Sequence, residues 1–351
     1  MVGIIAEYNP FHNGHLKQLE IVKKRFPNEV ITIVLAGNFL NRGEVSIIDK
    51  WDKTKLALIY GADIVVELPF KFAVESADYY AYGGVSILNL LKANYLVFGS
   101  ESNDLDNLIK IANRDIDKKV LKENIKKGYN YPKSLAKAIN SDIASPNDLL
   151  GISYIKAINK LNSNIKPITI KRSNSYHSLD TNSNIISASA IRNLIKNNEK
   201  IDKYVPNDTL KYIKKRDLND YFYILKYKIM NEDISCYVDI KINNRLKKVI
   251  NNCNNIDELI SKTKTKNYSY NYIKRCLVHI LCEFKIDNHD ISYVRVLGFN
   301  NKGQNYLKSI KKEVNIITNY CKDLEYELKV SNIYNMFDNE YKELNKPIKM
   351  D

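Results

Sequence analysis

The sequence has no apolar run approaching the roughly 18 residues that a membrane-spanning helix requires, so no such helix is expected. Cysteine is sparse. Its five residues, Cys236, Cys253, Cys276, Cys282 and Cys321, all lie in the last third, and none forms a C-x-x-C pair. An odd, unpatterned set argues against a disulfide framework or a structural zinc and fits a reducing cytoplasm. These thiols read as small buried apolar residues. The N-terminal stretch Met1–Tyr8 lacks a basic leader and a small-residue cleavage site, and it reads as a β-strand that begins at once. No internal repeat is visible, and the asparagine-rich patches are compositional.

What is present is a 351-residue chain, 44% apolar and 27% charged, the composition of a soluble globular protein of two domains. Its formal charge is +14, shared evenly between residues 1–200 and 201–351, with no polybasic tail. Such a surplus favours a polyanionic partner through steering and counterion release. The chain is also crowded with Asn, Lys, Ile and Tyr, the bias of an AT-rich coding sequence, so charge alone leaves RNA binding open.

Over the first 200 residues, β-branched runs alternate with helical patterns. The strands expected are Val2–Ala6, Val30–Leu35, Ile64–Leu68, Tyr95–Phe98 and Pro167–Lys171. The helices expected between them are Leu16–Arg25, Ile47–Tyr60, Ala77–Leu91 and Asp148–Leu161. Near-continuous apolar strands separated by amphipathic helices indicate an α/β fold, a doubly wound parallel sheet covered on both faces. Ligands of such sheets bind at the carboxyl ends of the strands. After Val205 the strand signal fades into helices expected at Asp208–Arg216, Tyr221–Met230, Asn244–Asn251, Ile256–Lys262 and Tyr272–Glu283. The proline and turn formers of Val205–Asp208 mark a boundary there. The organisation expected is a catalytic domain, 1–204, followed by a mainly α-helical, basic domain, 205–351.

The chemistry-bearing stretch is Glu7-Tyr8-Asn9-Pro10-Phe11-His12-Asn13-Gly14-His15, between the first strand and its helix. A glycine there permits close backbone approach, and the helix N-terminus offers unpaired N–H groups to phosphate. Two imidazoles three residues apart can stabilise charge on an α-phosphate and on departing pyrophosphate. A loop with glycine between the histidines is not a helical metal-binding face, so no metal site is expected. Downstream, Ser187-Ala188-Ser189-Ala190-Ile191-Arg192 opens a helix, with hydroxyls and first-turn N–H groups as an anion nest and Arg192 as a planar fork.

The nonapeptide resembles the H-x-G-H signature of the nucleotidyltransferase superfamily, and its wider phrase is similar to the tRNA(Met) cytidine acetate ligases. Ala36–Glu44 resembles that family's loop after the second strand, with Asn41 where glutamine is usual. Asp49-Lys50-Trp51, Gly61–Pro69, Phe98-Gly99-Ser100-Glu101, Ser145-Pro146-Asn147, Ile170-Lys171-Arg172, Tyr176-His177 and Ile186–Arg192 also match. In the second half, Lys262–Tyr268 and Val294–Phe299 echo the family, whereas Asp239–Leu246 departs from the acidic-Gly-Leu form expected before Asn-Arg-Leu.

The resemblance implies a Rossmann-like nucleotidyltransferase that uses ATP, with magnesium accompanying it, to convert acetate to acetyl-adenylate. The wobble cytidine of elongator tRNA(Met) then takes the acetyl group as N4-acetylcytidine. His12, His15 and Arg192 would be catalytic, with no covalent nucleophile. ATP would be bound by Ile5, Ala6, Glu7, Tyr8, Asn9, Pro10, Phe11, Asn13, Gly14, Gly99, Asn147, Lys171, Arg172, Ser187 and Ser189. Lys262, Lys264, Lys266 and Arg275 are the candidates for tRNA backbone contacts. Asp49, Asp63 and Glu67 read as caps or lysine partners, and His279 and His289 as structural. Two alternatives remain open at this point: an adenylyltransferase for a small phosphorylated metabolite, and a non-catalytic RNA-binding protein.

Overall fold

The computed structural model describes residues 1–115, 117–127, 129, 131–138, 145–172, 184–285, 290–338 and 342–351. Tyr176, His177 and His289, singled out above, lie outside the described residues. Ten strands are described: β1 Val2–Ala6, β2 Ile31–Ala36, β3 Phe39–Leu40, β4 Glu44–Val45, β5 Ile64–Leu68, β6 Tyr95–Ser100, β7 Lys166–Lys171, β8 Val294–Phe299, β9 Ile316–Ile317 and β10 Ile348–Lys349. The main sheet runs β10-β8-β5-β2-β1-β6-β7, with β9 beside β8, and β3 and β4 form a separate hairpin. All pairs in the main sheet are parallel except β5 with β8.

The chain leaves β1 toward β2 and later crosses to β6 on β1's other side. The order therefore reverses at β1, and a crevice opens at the carboxyl ends of β1 and β6. Alternate strand residues feed two cores. Val2, Ile4 and Ala6 pack with Leu19 and Val22 of the helix Asn13–Arg25. Val66, Leu68, Leu96 and Phe98 face Val85 and Leu88 of Ala77–Leu90 and Ile152 and Ile155 of Pro146–Lys160. That second core runs on without interruption into Leu225, Ile242 and Leu277 of the later helices.

Two later segments differ from the sequence reading. The expected helix Asp208–Arg216 is helical only over Asn207–Leu210, because Lys214 N–H bonds to Ile47 O at 2.7 Å and Arg216 turns to Asp338. β8 and β10, from the segment expected to be mainly helical, join the N-terminal sheet. β8 was hidden by its central charge. Arg295 is buried, and its Nη1 meets Glu67 at 2.7 Å and Glu343 at 2.5 Å, while Lys50 Nζ meets the same two carboxylates at 2.7 and 2.8 Å. Asp49 caps the helix Lys50–Ile59, and Asp63 accepts the Ile31 N–H at 2.8 Å, so these acids are structural. His279 is structural as well, its Nε2 lying 2.8 Å from Val74 O. All five cysteines are free. Among the described residues, no helix is long and apolar enough to cross a membrane.

Candidate active site

At the carboxyl end of β1, Tyr8 takes the left-handed backbone region (φ 48°) and turns the chain so that His12 caps the helix Asn13–Arg25. Gly14 N–H donates to His12 Nδ1 at 3.0 Å, and His12 N–H donates to His15 Nδ1 at 3.3 Å. Each Nδ1 is thus an acceptor, which leaves the proton on Nε2 of both rings. The rings stack with centroids 3.8 Å apart, an arrangement suited to uncharged imidazoles. Burial, with Arg172 and Arg192 nearby, pulls the His12 pKa down to about 3. Burial, then His12 and Arg172, holds His15 well below its ordinary value. Gly14 is required for a reason beyond ligand approach: a Cβ there would stand 2.8 Å from His12 Cε1.

Both histidines line a cavity of about 510 Å³ at the crevice between β1 and β6. Its walls also carry Ile5, Ala6, Glu7, Tyr8, Asn9 and Gly14 from the β1 turn, and Gly99, Asn147, Lys171, Arg172, Ser187, Ser189 and Arg192 from elsewhere. Two of the sequence matches hold each other in place. Glu101 accepts Asn147 Nδ2 at 2.5 Å and the Asp148 N–H at 3.1 Å, while Asp148 accepts the Ser100 hydroxyl and the Ser102 N–H. Ser187 caps the helix Ala188–Lys196 by accepting the Ala190 N–H at 3.2 Å. Arg192 is already engaged, donating to Asn9 O at 2.7 Å, Glu44 at 2.8 Å and Ser189 Oγ at 3.3 Å.

Three polar atoms on these walls are buried without a partner among the described residues: Tyr8 Oη, Asn9 Nδ2 and Arg172 Nε. Stranded buried donors are costly, and all three belong to residues that line the cavity.

Not every expected residue reaches the cavity. Phe11 is fully buried and stacks on Tyr60 with centroids 5.2 Å apart, and Pro10 is buried behind the turn. Asn13 Nδ2 instead ties two carbonyls, Asn184 O and Lys203 O, at 2.9 Å each. Of the candidates for RNA contact, Arg275 lines the cavity, while Lys262, Lys264 and Lys266 are exposed outside it.

A family model described as HIGH Nucleotidyl Transferase matches residues 1–347. The tRNA(Met) cytidine acetate ligase of Caldicellulosiruptor saccharolyticus is 38% identical, over 99% of this chain and 96% of its own. That of Anoxybacillus flavithermus is 36% identical, over 90% of this chain and 87% of its own. The chain belongs to the HIGH nucleotidyl transferases, within the tRNA(Met) cytidine acetate ligase family. Among solved structures, apo Thermotoga maritima TmcAL superposes with a TM-score of 0.89 at 26% identity, covering 99% of both chains. A second crystal form of TmcAL, bound with alpha-thio ATP, gives 0.87 at the same identity and coverage.

Within this family fold, several site residues carried no sequence signal of their own. Lys53 is fully buried, and its Nζ gathers Glu7 O, Ala36 O and Gly37 O at 3.0, 2.8 and 2.7 Å, fastening the ends of β1 and β2 together. Burial pulls its pKa to about 7. The Asn41 N–H donates to the Glu7 carboxylate at 2.8 Å, and burial raises the Glu7 pKa despite that bond. Tyr80 and Tyr154 also line the cavity. Only tertiary folding brings these groups together.

Proposed function

We propose that this chain is an ATP-dependent acetate ligase that forms N4-acetylcytidine at the wobble position of elongator tRNA(Met). The observation that carries this reading is the pair of neutral, Nε2-protonated imidazoles that line one cavity with Arg172, whose Nε has no partner among the described residues. Together they supply hydrogen-bond donors and positive charge where a triphosphate would change shape. Full-length similarity to curated tRNA(Met) cytidine acetate ligases supports the choice of substrates.

The acetate oxygen attacks the α-phosphorus of ATP, the bond to the bridging oxygen breaks, and pyrophosphate leaves with its electron pair. His12 and His15 donate from Nε2 to oxygens that gain charge in that step, with no proton removed from either ring. Arg172, Lys171 and the Ser187–Ser189 helix start hold the phosphates. The cytidine N4 amine then attacks the acetyl carbonyl, AMP leaves, and the amine loses one proton. Glu7, a carboxylate of raised pKa on the same wall, is placed to receive that proton. Magnesium fits as an escort of the phosphates. The cavity carboxylates Glu7, Glu44 and Asp78 are taken up by the Asn41 N–H, Arg192 and the Ser153 hydroxyl.

Incubation with ATP and labelled acetate, with and without tRNA(Met), tests the reading. Acetylcytidine in RNA digests is expected, together with acetate-dependent pyrophosphate release. Unlabelled RNA alongside a nucleotide-linked metabolite would favour a small-molecule adenylyltransferase instead.

A further inference from the structure

Among the described residues beyond Val205, two reach the cavity, Asn271 and Arg275 of the helix Tyr270–Cys282. The loop between β3 and β4 sets how closely that helix approaches. Gly43 lies there at φ +68°, and a Cβ on it would stand 2.4 Å from Lys274 C and 2.5 Å from Arg275 N. Backbone thus meets backbone at the cavity's rim.

Arg275 is half-buried, and burial lowers its pKa. Three other shielded guanidiniums are answered by carboxylates, Arg192 by Glu44, Arg216 by Asp338 and Arg295 by Glu67, whereas Arg245 donates to a backbone carbonyl. Arg275 has no carboxylate within ion-pair distance among the described residues. Its neighbours are the Tyr272 ring, 5.9 Å away, and the more distant charge of Glu75. A desolvated cation left in this condition on a cavity wall suits an incoming anion.

From Arg275 an aromatic and basic strip leads away from the cavity. Tyr272 stacks on Tyr268 with centroids 5.4 Å apart and planes 16° from parallel. The Tyr268 hydroxyl donates to Asp239 at 3.2 Å, and Asp239 caps the helix Ile240–Val249. Arg245 Nε donates to Thr263 O at 2.8 Å, pinning the end of the helix Ile256–Thr263. The Asp239–Leu246 segment, atypical for the family in sequence, therefore braces this strip. Just before Tyr268 in the chain, Lys264 and Lys266 are exposed, whereas Lys262 folds back onto Asn252 O.

We propose that Arg275, the Tyr272–Tyr268 stack, Lys264 and Lys266 form the track for a single-stranded RNA segment whose cytosine enters the cavity. Arg275 holds the phosphate of the entering nucleotide. Stacked rings interleaved with cations accept unpaired bases of any sequence, and a guanidinium fork matches phosphate geometry. This inference rests on the ligase reading above and names the path of its second substrate.

The test uses the full chain with Arg275→Ala, Arg275→Lys and the double variant Lys264→Glu/Lys266→Glu. Three quantities are measured: acetate-dependent exchange of labelled pyrophosphate into ATP, transfer of labelled acetate to an anticodon stem-loop transcript, and anisotropy of a labelled oligocytidylate. The double variant should raise the stem-loop KM at least about 10-fold and reduce the log–log salt slope by about two. Arg275→Ala should lower the ratio of transfer to exchange at least about 10-fold, with part restored by Arg275→Lys. Ratios within about twofold of wild type would overturn the track. So would equal loss of exchange and transfer in Arg275→Ala, which assigns the guanidinium to acetate or ATP. A wild-type protein that neither exchanges nor transfers sinks the ligase reading alone. Oligocytidylate binding then still decides the track, which is refuted if the double variant binds as tightly as wild type.

Discussion

Replacing His12 with asparagine removes the imidazole while keeping a side-chain acceptor for the Gly14 N–H. His12 is 5% exposed, and its pKa falls from 6.5 to about 3 through burial, with Arg172 and Arg192 adding to it. The fold thus favours the neutral ring. Its contribution to stability is complete above the unfolded pKa of about 6.5 and is lost as pH falls toward about 3. With each unit worth about 1.4 kcal/mol, a drop from about pH 6.5 to about pH 5 should cost wild type about 1.5 kcal/mol more than His12→Asn. Urea unfolding of both proteins at a series of pH values measures the difference, and the other acid-sensitive groups cancel between them to first order. Parallel pH profiles would refute the reasoning, as would an NMR titration giving His12 a midpoint near its unperturbed 6.5.

His15→Ala should lower acetate-dependent pyrophosphate release about 100-fold, the scale of one lost charge-stabilising donor, with circular dichroism unchanged. Gly43→Ala forces a side chain into a left-handed backbone position and against Lys274 and Arg275. It should cost about 2 kcal/mol, seen as a melting point lower by several degrees, and an unaltered melt would disprove the close packing. Glu67→Ala leaves Lys50 and Arg295 with Glu343 as their one carboxylate within ion-pair distance among the described residues and should destabilise by about 3–5 kcal/mol in urea unfolding. A loss under about 1 kcal/mol would mean that the buried quartet is not held together as described.

β1, β2, β5 and β6 were legible in the sequence because they are largely apolar on both faces. Ile64–Leu68 was found at its observed bounds, and Val2–Ala6 likewise. β8 was missed because a buried arginine inside a strand looks like solvent exposure until its two carboxylates, 228 and 48 residues away, are known. The histidines and the Ser187 helix start stood out from local spacing as candidates for holding phosphate, and Arg172 from the family resemblance; the fold brings them to one cavity. Whether a residue in the motif faced the ligand or the core was not, as Phe11 and Asn13 illustrate. Periodicity does not apply to a turn whose direction is set by Tyr8 at positive φ. Lys53 was silent for another reason: its role is to receive three carbonyls from two strands, and nothing in its own helix announces that.

The seat of Glu343 between Lys50 and Arg295 bears on how the chain is made. Lys50 and Glu67 emerge from the ribosome well before the acid that completes their quartet, which follows Lys50 by 293 residues. Until then the open flank of β5 lacks β8, and β8 lacks β10. Nascent chains should therefore carry an unshielded edge until those later segments emerge, exposed to pairing with neighbours on the same message. Protection by a holding chaperone would matter most in that interval.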